Sequence, residues 1–202
     1  MKAVPKSRYI VFVAVALAGC AVDLATKRWA FDKLGFPGSR GSSILLIGEV
    51  FGLTTSLNEG ALFGLGQGKA AIFAALSAIA ALGILYWLFV AKAAHEWLLN
   101  VALAAVMGGI LGNLYDRLGL HGLVGPAWSN PHWSHQRIYA VRDWLHFRIE
   151  PWFEWPIFNV ADSLLVCGAA LLVWHALFHK PAADLTPAAA LGAESTGSVG
   201  SS

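Results

Sequence analysis

The chain has 202 residues, of which 57% are hydrophobic and only 13% charged, with a formal net charge of +2. That balance excludes an ordinary soluble domain, and the lack of a basic tract argues against nucleic acid as a partner. What remains is a membrane protein. In chain order, residues 9–31 form a first candidate span that includes Asp23, Lys27 and Arg28. Residues 32–69 follow as an external segment, where "SSILLIGEVFGLTTSLNEGALFGLG" combines β-branched and apolar runs with glycine punctuation and predicts short strands. Residues 70–91 and 97–115 carry no charge and are long enough to cross a hydrocarbon core of roughly 30 Å; only "KAAHE", 92–96, joins them. A second external segment, 116–156, holds Trp128, Trp133, Trp144, Trp152 and Trp155, and the span 157–178 has Asp162 as its only charge. The tail 181–202 has little to bury and is predicted to be disordered. The expected fold is an all-α membrane protein, a single domain over 1–180 with four transmembrane helices and a small external β-rich platform.

Lys2, Lys6 and Arg8 place the N-terminus in the cytoplasm under the positive-inside rule, and four spans return the C-terminus to that side. Arg117, Arg137, Arg142 and Arg148 in the second external segment run against this orientation. "ALAGC", 16–20, has the form of the box before a lipidated cysteine, but "AVDLATKRWAF" continues beyond it without a helix break. Cleavage there would halve a span, so the box is read as part of a helix. Cys20 and Cys167 both fall in spans and read as buried, inert thiols rather than a disulfide.

Charged groups inside spans are costly and mark functional candidates. Asp23 and Lys27 lie near the outer end of span one, Asn113 and Asp116 at the outer end of span three, and Asn159 and Asp162 at the start of span four. The first pair is spaced i,i+4 and the others i,i+3, so each faces one side of its helix. Three helices therefore present polar pairs at one depth. Gly108 and Gly112 form a small-residue face that lets span three pack closely.

No GxSxG is present, and His132 and His135 of "HWSH" lack a third assigned ligand for zinc. Neither a metal nor another cofactor is expected. Carboxylates are the better candidates: Asp116, Asp143 and Asp162 all reach the outer interface. Two close carboxylates at a low-dielectric boundary cannot readily both ionise. The ionised one can then take a proton from water while the neutral one hydrogen-bonds a scissile carbonyl and assists the leaving amine. The residues leave open which two of the three form the pair, although Arg117 beside Asp116 suggests an ion-paired, structural carboxylate there. The rival readings are a small transporter or lipid-binding module using the same polar cluster, and a metallohydrolase using His132 and His135.

The ordered stretches "DLATK" 23–27, "NEGALFG" 58–64, "GGILGNLYDR" 108–117, "VRDW" 141–144 and "FNVAD" 158–162 resemble those of the lipoprotein signal peptidase (signal peptidase II) family of four-span aspartyl proteases. The resemblance implies Asp143 and Asp162 as the catalytic pair. It implies supporting roles for Asn58, Gly60, Asn113, Asp116, Arg117 and Asn159 around the peptide, and places Asp23 and Lys27 near the lipid-headgroup end of the substrate cleft. It further implies diacylglyceryl-modified prolipoprotein substrates cut before the lipidated cysteine, contact with membrane lipids, inhibition by globomycin-like cyclic peptides, no metal, and an active site at the outer face of a bacterial inner membrane.

Two features depart from the family pattern. Residues 118–140, rich in Gly, Pro, His and Trp, separate blocks that usually follow each other quickly, and Arg142 stands where an apolar residue is usual. The insertion is expected to act as a lid, or its tryptophans as an ordinary interfacial belt. Arg142 is expected to hold a carboxylate ionised, to contact lipid phosphate or to point into the headgroup layer.

Overall fold

The computed structural model describes residues 3–48, 50–60, 66–149 and 151–178, so the tail predicted to be disordered lies outside the described residues. Four long helices are present: α1 (Lys6–Leu34), α2 (Ala70–Leu85), α3 (Trp97–Arg117) and α4 (Val160–Phe178). All are long and apolar enough to cross a membrane, α2 with its π-helical continuation Tyr86–Val90 included. Between them lie β1 (Ser43–Ile47), β2 (Phe51–Asn58), β3 (Val141–Ile149) and β4 (Phe153–Glu154), which form one antiparallel sheet in the order β1-β2-β3-β4. The predicted fold class is the observed one. Strands were expected in the first external segment; β3 and β4 add the second segment to the same sheet.

α3 is the central helix, largely buried, while α1, α2 and α4 present Ile10, Leu17, Ile72, Ile79, Leu82, Val166 and Leu177 outward. Apolar side chains exposed in this way on every outer helix face suit lipid, not water. Glycines on α3 set the close approaches. A Cβ on Gly108 would lie 3.0 Å from the Ala16 carbonyl of α1, and one on Gly112 would collide with the Asp23 carboxylate. Gly109 faces the other way, where a Cβ would press on the Ala161 carbonyl and the Leu165 side chain of α4. One glycine run thus seats α3 between two helices.

α1 runs without interruption through "ALAGC", as its sequence beyond Cys20 predicts. Both cysteines are free; Cys20 is half-buried, but Cys167 is exposed on α4 rather than buried as expected. Outside the bundle, Ala30 and Leu34 of α1 pack with Leu53 of β2 and Trp144 of β3. Phe31 and Leu57 pack with Ile138 and Ala140 of the insertion, against which Phe36, Leu123 and Trp133 also rest. The sheet and the insertion are therefore docked on the end of α1.

Candidate active site

The register of β2 on β3 pairs Ser56 with Asp143 and Leu57 with Arg142, which puts Asn58 diagonally beside Asp143. On the other side of β3, Trp144 and Leu145 both donate backbone N–H groups to the Phe158 carbonyl, at 3.0 and 2.8 Å, and Phe158 donates back to Leu145. That stitch holds the chain entering α4 against the strand. Asn159 follows immediately, and its Oδ1 accepts the Asp162 N–H at 2.9 Å while Asp162 Oδ2 accepts the Asn159 N–H at 3.2 Å. This reciprocal pair is a capping box made from Asn and Asp, and it places a carboxylate at the positive end of the α4 dipole.

The Asn159 amide also donates to Asp143 Oδ1 and, at 3.2 Å, to Asn113 Oδ1. Asn58 donates to the other Asp143 oxygen at 3.3 Å. Asn113 donates to Asp162 Oδ1 at 2.9 Å, and its orientation is forced because its oxygen takes a bond of 2.8 Å from the Lys27 ammonium, a group that only donates. Lys27 thus reaches the carboxylates through an amide, never directly. Among the described residues neither Asp143 nor Asp162 is in an ion pair. Burial and the nearby charge of Asp162 push the Asp143 carboxyl up to about 8, against the lowering effects of Asn159, Lys27 and Asn58. A cleft of about 50 Å³ bordered by Asn58, Gly60, Asn113, Arg117, Pro156 and Asp162 reaches one member of the pair, Asp162. It has room for water.

Asp23, Lys27, Asp116 and Arg142 form a second cluster behind the first. Lys27 Nζ lies 2.7 Å from Asp23 and 3.4 Å from Asp116, and all three side chains are fully buried. Asp23 Oδ1 accepts the Ala161 N–H at 2.9 Å, tying α1 to the start of α4. Arg142 grips Asp116 with a 2.8 Å bond from Nη2, further contacts from Nε and a 3.0 Å bond from its own backbone N–H. Asp23 and Lys27 are sealed between helices. One expectation is corrected. The cation on Asp116 is Arg142, not Arg117, because the strand brings residue 142 to the end of α3 while Arg117 turns away to the Gly60 carbonyl at 3.2 Å.

The insertion is folded, with bridges from Val124 to Arg137 and from Gly125 to Ser134. His132 and Trp133 both contact Glu59 Oε1, at 3.0 and 2.9 Å. No three His, Cys, Asp or Glu side chains gather as metal ligands among the described residues. The contact to Glu59 is one that sequence reasoning missed; its signal was the position of Glu59 between Asn58 and Gly60, both predicted site residues.

The profile of the family described as signal peptidase (SPase) II matches residues 15–178 of this chain. The chain belongs to the signal peptidase II family. This membrane peptidase is 44% identical over 171 residues to a lipoprotein signal peptidase of Rhodopirellula baltica, covering 85% of this chain and 73% of the relative. It is 38% identical over 150 residues to a lipoprotein signal peptidase of Desulfitobacterium hafniense, covering 72% and 84%. A solved bacterial membrane enzyme aligns with a TM-score of 0.64 at 25% identity, covering 82% of this chain and 87% of its own. These relatives lend no support to a transporter or lipid-binding module.

Proposed function

We propose that this signal peptidase II hydrolyses the peptide bond before the diacylglyceryl-modified cysteine of prolipoproteins, with Asp143 and Asp162 as its catalytic pair. One observation carries the reading: carboxylates from β3 and from the N-terminus of α4 share Asn159, amid amide donors and without a salt bridge of their own. Burial and the nearby charge of Asp162 push the Asp143 carboxyl up to about 8, so below about that pH the pair keeps one proton. Asp162 takes a proton from the water that attacks the scissile carbonyl carbon. Asp143 donates a hydrogen bond to the carbonyl oxygen, whose growing negative charge is stabilised in a water-poor site. When the tetrahedral intermediate collapses, the C–N bond breaks and a proton passes to the leaving amine of the cysteine.

The substrate's acyl chains bring the bond to this depth, so lipid contributes to specificity beside the peptide. The outer face of a bacterial inner membrane, with both termini cytoplasmic, suits the positive N-terminus. Of the four arginines of the second external segment that run against that orientation, Arg142 is ion-paired with Asp116, while Arg137 and Arg117 donate to the Gly119 and Gly60 carbonyls. Globomycin-like cyclic peptides are expected to compete for the pair. The test is cleavage of a diacylglyceryl-modified precursor by the purified protein, with and without chelator, beside D143N and D162N. Full turnover in both variants overturns the catalytic pair, and loss of wild-type cleavage with chelator favours a metallohydrolase.

A further inference from the structure

The 118–140 insertion packs on Phe31 and Leu57 and also holds a turn that supplies two separate contacts to the site. Asn58 and Gly60 flank Glu59. Asn58 reaches Asp143 with its amide and accepts the Gly60 N–H on its own Oδ1 at 3.0 Å, while the Gly60 carbonyl receives Arg117. The Glu59 side chain reaches the insertion, where it meets His132 and the Trp133 indole N–H on a single oxygen. Its side chain is 14% exposed and that of His132 is 68% exposed, so Trp133 provides the more shielded half of the grip.

Trp133 is itself anchored. Its backbone N–H bonds Asn130, and its ring meets Phe36 edge-on at 6.1 Å, just beyond the end of α1. The position of Glu59 is thereby referred to α1, the element that also carries Asp23 and Lys27. A side chain fixed between two residues that both enter the site sets where those residues sit. A displacement of about 1 Å in such a constellation is costly to catalysis.

Resting on the proposed aspartate pair, we infer that Trp133, with His132, is a positioning device: by gripping Glu59 it holds Asn58 against Asp143 and the Gly60 carbonyl on Arg117. The insertion is a fixed clamp on the active-site turn, and not a lid that orders over substrate. The groups facing Asp143 are Asp162 and Asn159 from the start of α4, Lys27 from α1 and Asn58 from β2, with Arg117 of α3 close enough to feel its charge. Releasing Asn58 removes one donor that favours the ionised carboxylate.

The decisive variants are Trp133→Phe, which keeps the ring on Phe36 but loses the N–H, Glu59→Ala, and Glu59→Gln, which keeps an acceptor oxygen. The assay is full-chain enzyme in detergent micelles cleaving a diacylglyceryl-modified precursor across a pH series. Trp133→Phe and Glu59→Ala are expected to lower kcat about tenfold with KM changed less than about twofold, and to move the alkaline fall of activity to higher pH. Glu59→Gln recovers kcat to within about threefold of wild type, and Trp133→Phe adds less than its full loss in an Asn58→Ala background, because only the Gly60 contact is then left to lose. An unchanged kcat and pH profile in Trp133→Phe and Glu59→Ala overturns the clamp, as does a full further loss in the Asn58→Ala background. If D143N and D162N abolish cleavage while Trp133→Phe keeps the wild-type kcat and pH profile, the clamp alone fails; if D143N and D162N cleave normally, the catalytic pair fails.

Discussion

Two groups of carboxylates lie back to back at one end of this helix bundle, and they differ in what surrounds them. Asp116 is held by the guanidinium of Arg142, by Lys27 and by a backbone N–H, and Asp23 by Lys27 and the Ala161 N–H. Asp143 and Asp162 are as firmly placed, but by the amides of Asn58, Asn113 and Asn159 and by backbone N–H groups. Burial alone does not prepare a carboxylate for proton transfer. Counter-ions compensate the first group; neutral donors orient the second with no cation in contact, and burial with the nearby charge of Asp162 pushes the Asp143 carboxyl up to about 8 although Asn159 and Asn58 draw it down. Asn113 joins the two groups, taking a bond from Lys27 and giving one to Asp162.

The contrast can be broken most sharply by exchanging charge for amide on each side. D143N and D162N should each lower cleavage of a lipidated precursor by about 10³-fold or more, since each removes one partner in proton transfer. In the same variants the thermal midpoint in detergent should move little for D143N, because no cation is orphaned. Asp116→Asn should do the reverse and destabilise the fold by about 3–5 kcal/mol, because Arg142, 6% exposed, and fully buried Lys27 lose their shared anion. A thermal midpoint for Asp116→Asn equal to wild type would erase the distinction.

A smaller effect follows from pH. With the Asp143 carboxyl pushed up to about 8, activity should fall as pH rises past that point, because the pair loses the proton it must donate. Stability carries the same sign: between the ordinary carboxylate range and about pH 8 the folded state binds a proton that the unfolded chain does not, so stability declines as pH climbs through that window. A rate profile flat to pH 10 would assign the proton elsewhere. The smallest effect is expected at Arg28 and Asp32, a 3.6 Å pair whose side chains are 83% and 68% exposed. Arg28→Ala should leave both cleavage and thermal midpoint unchanged within error.

Much of this architecture is legible along the chain because its signals are local. Uncharged runs at 70–91 and 97–115 mark spans by length, and i,i+3 or i,i+4 spacing aligns Asp23 with Lys27 and Asn159 with Asp162 on helix faces. The pairing of Asp116 with adjacent Arg117 was a local inference too, and there locality misled. Residue 117 follows 116 on the helix, yet the strand delivers Arg142 to that carboxylate while Arg117 is drawn to Gly60. The tryptophans of the second external segment share a composition but not a fate: Trp144 is buried against the end of α1, Trp133 holds Glu59, and Trp152 is 85% exposed.

The amino-acid order by itself determined a four-span membrane protein, the depth at which its polar residues gather and the stretches that resemble a known peptidase family. Those properties depend on hydrophobic length and helical period, which neighbouring residues carry among themselves. Tertiary structure alone decided which carboxylates meet cations and which meet amides. That sorting needs β3 laid against β2, Phe158 bonded across β3, and α3 pressed by its glycines between α1 and α4. Contacts between residues so distant in the chain leave no periodic trace, because they are set by packing rather than by spacing.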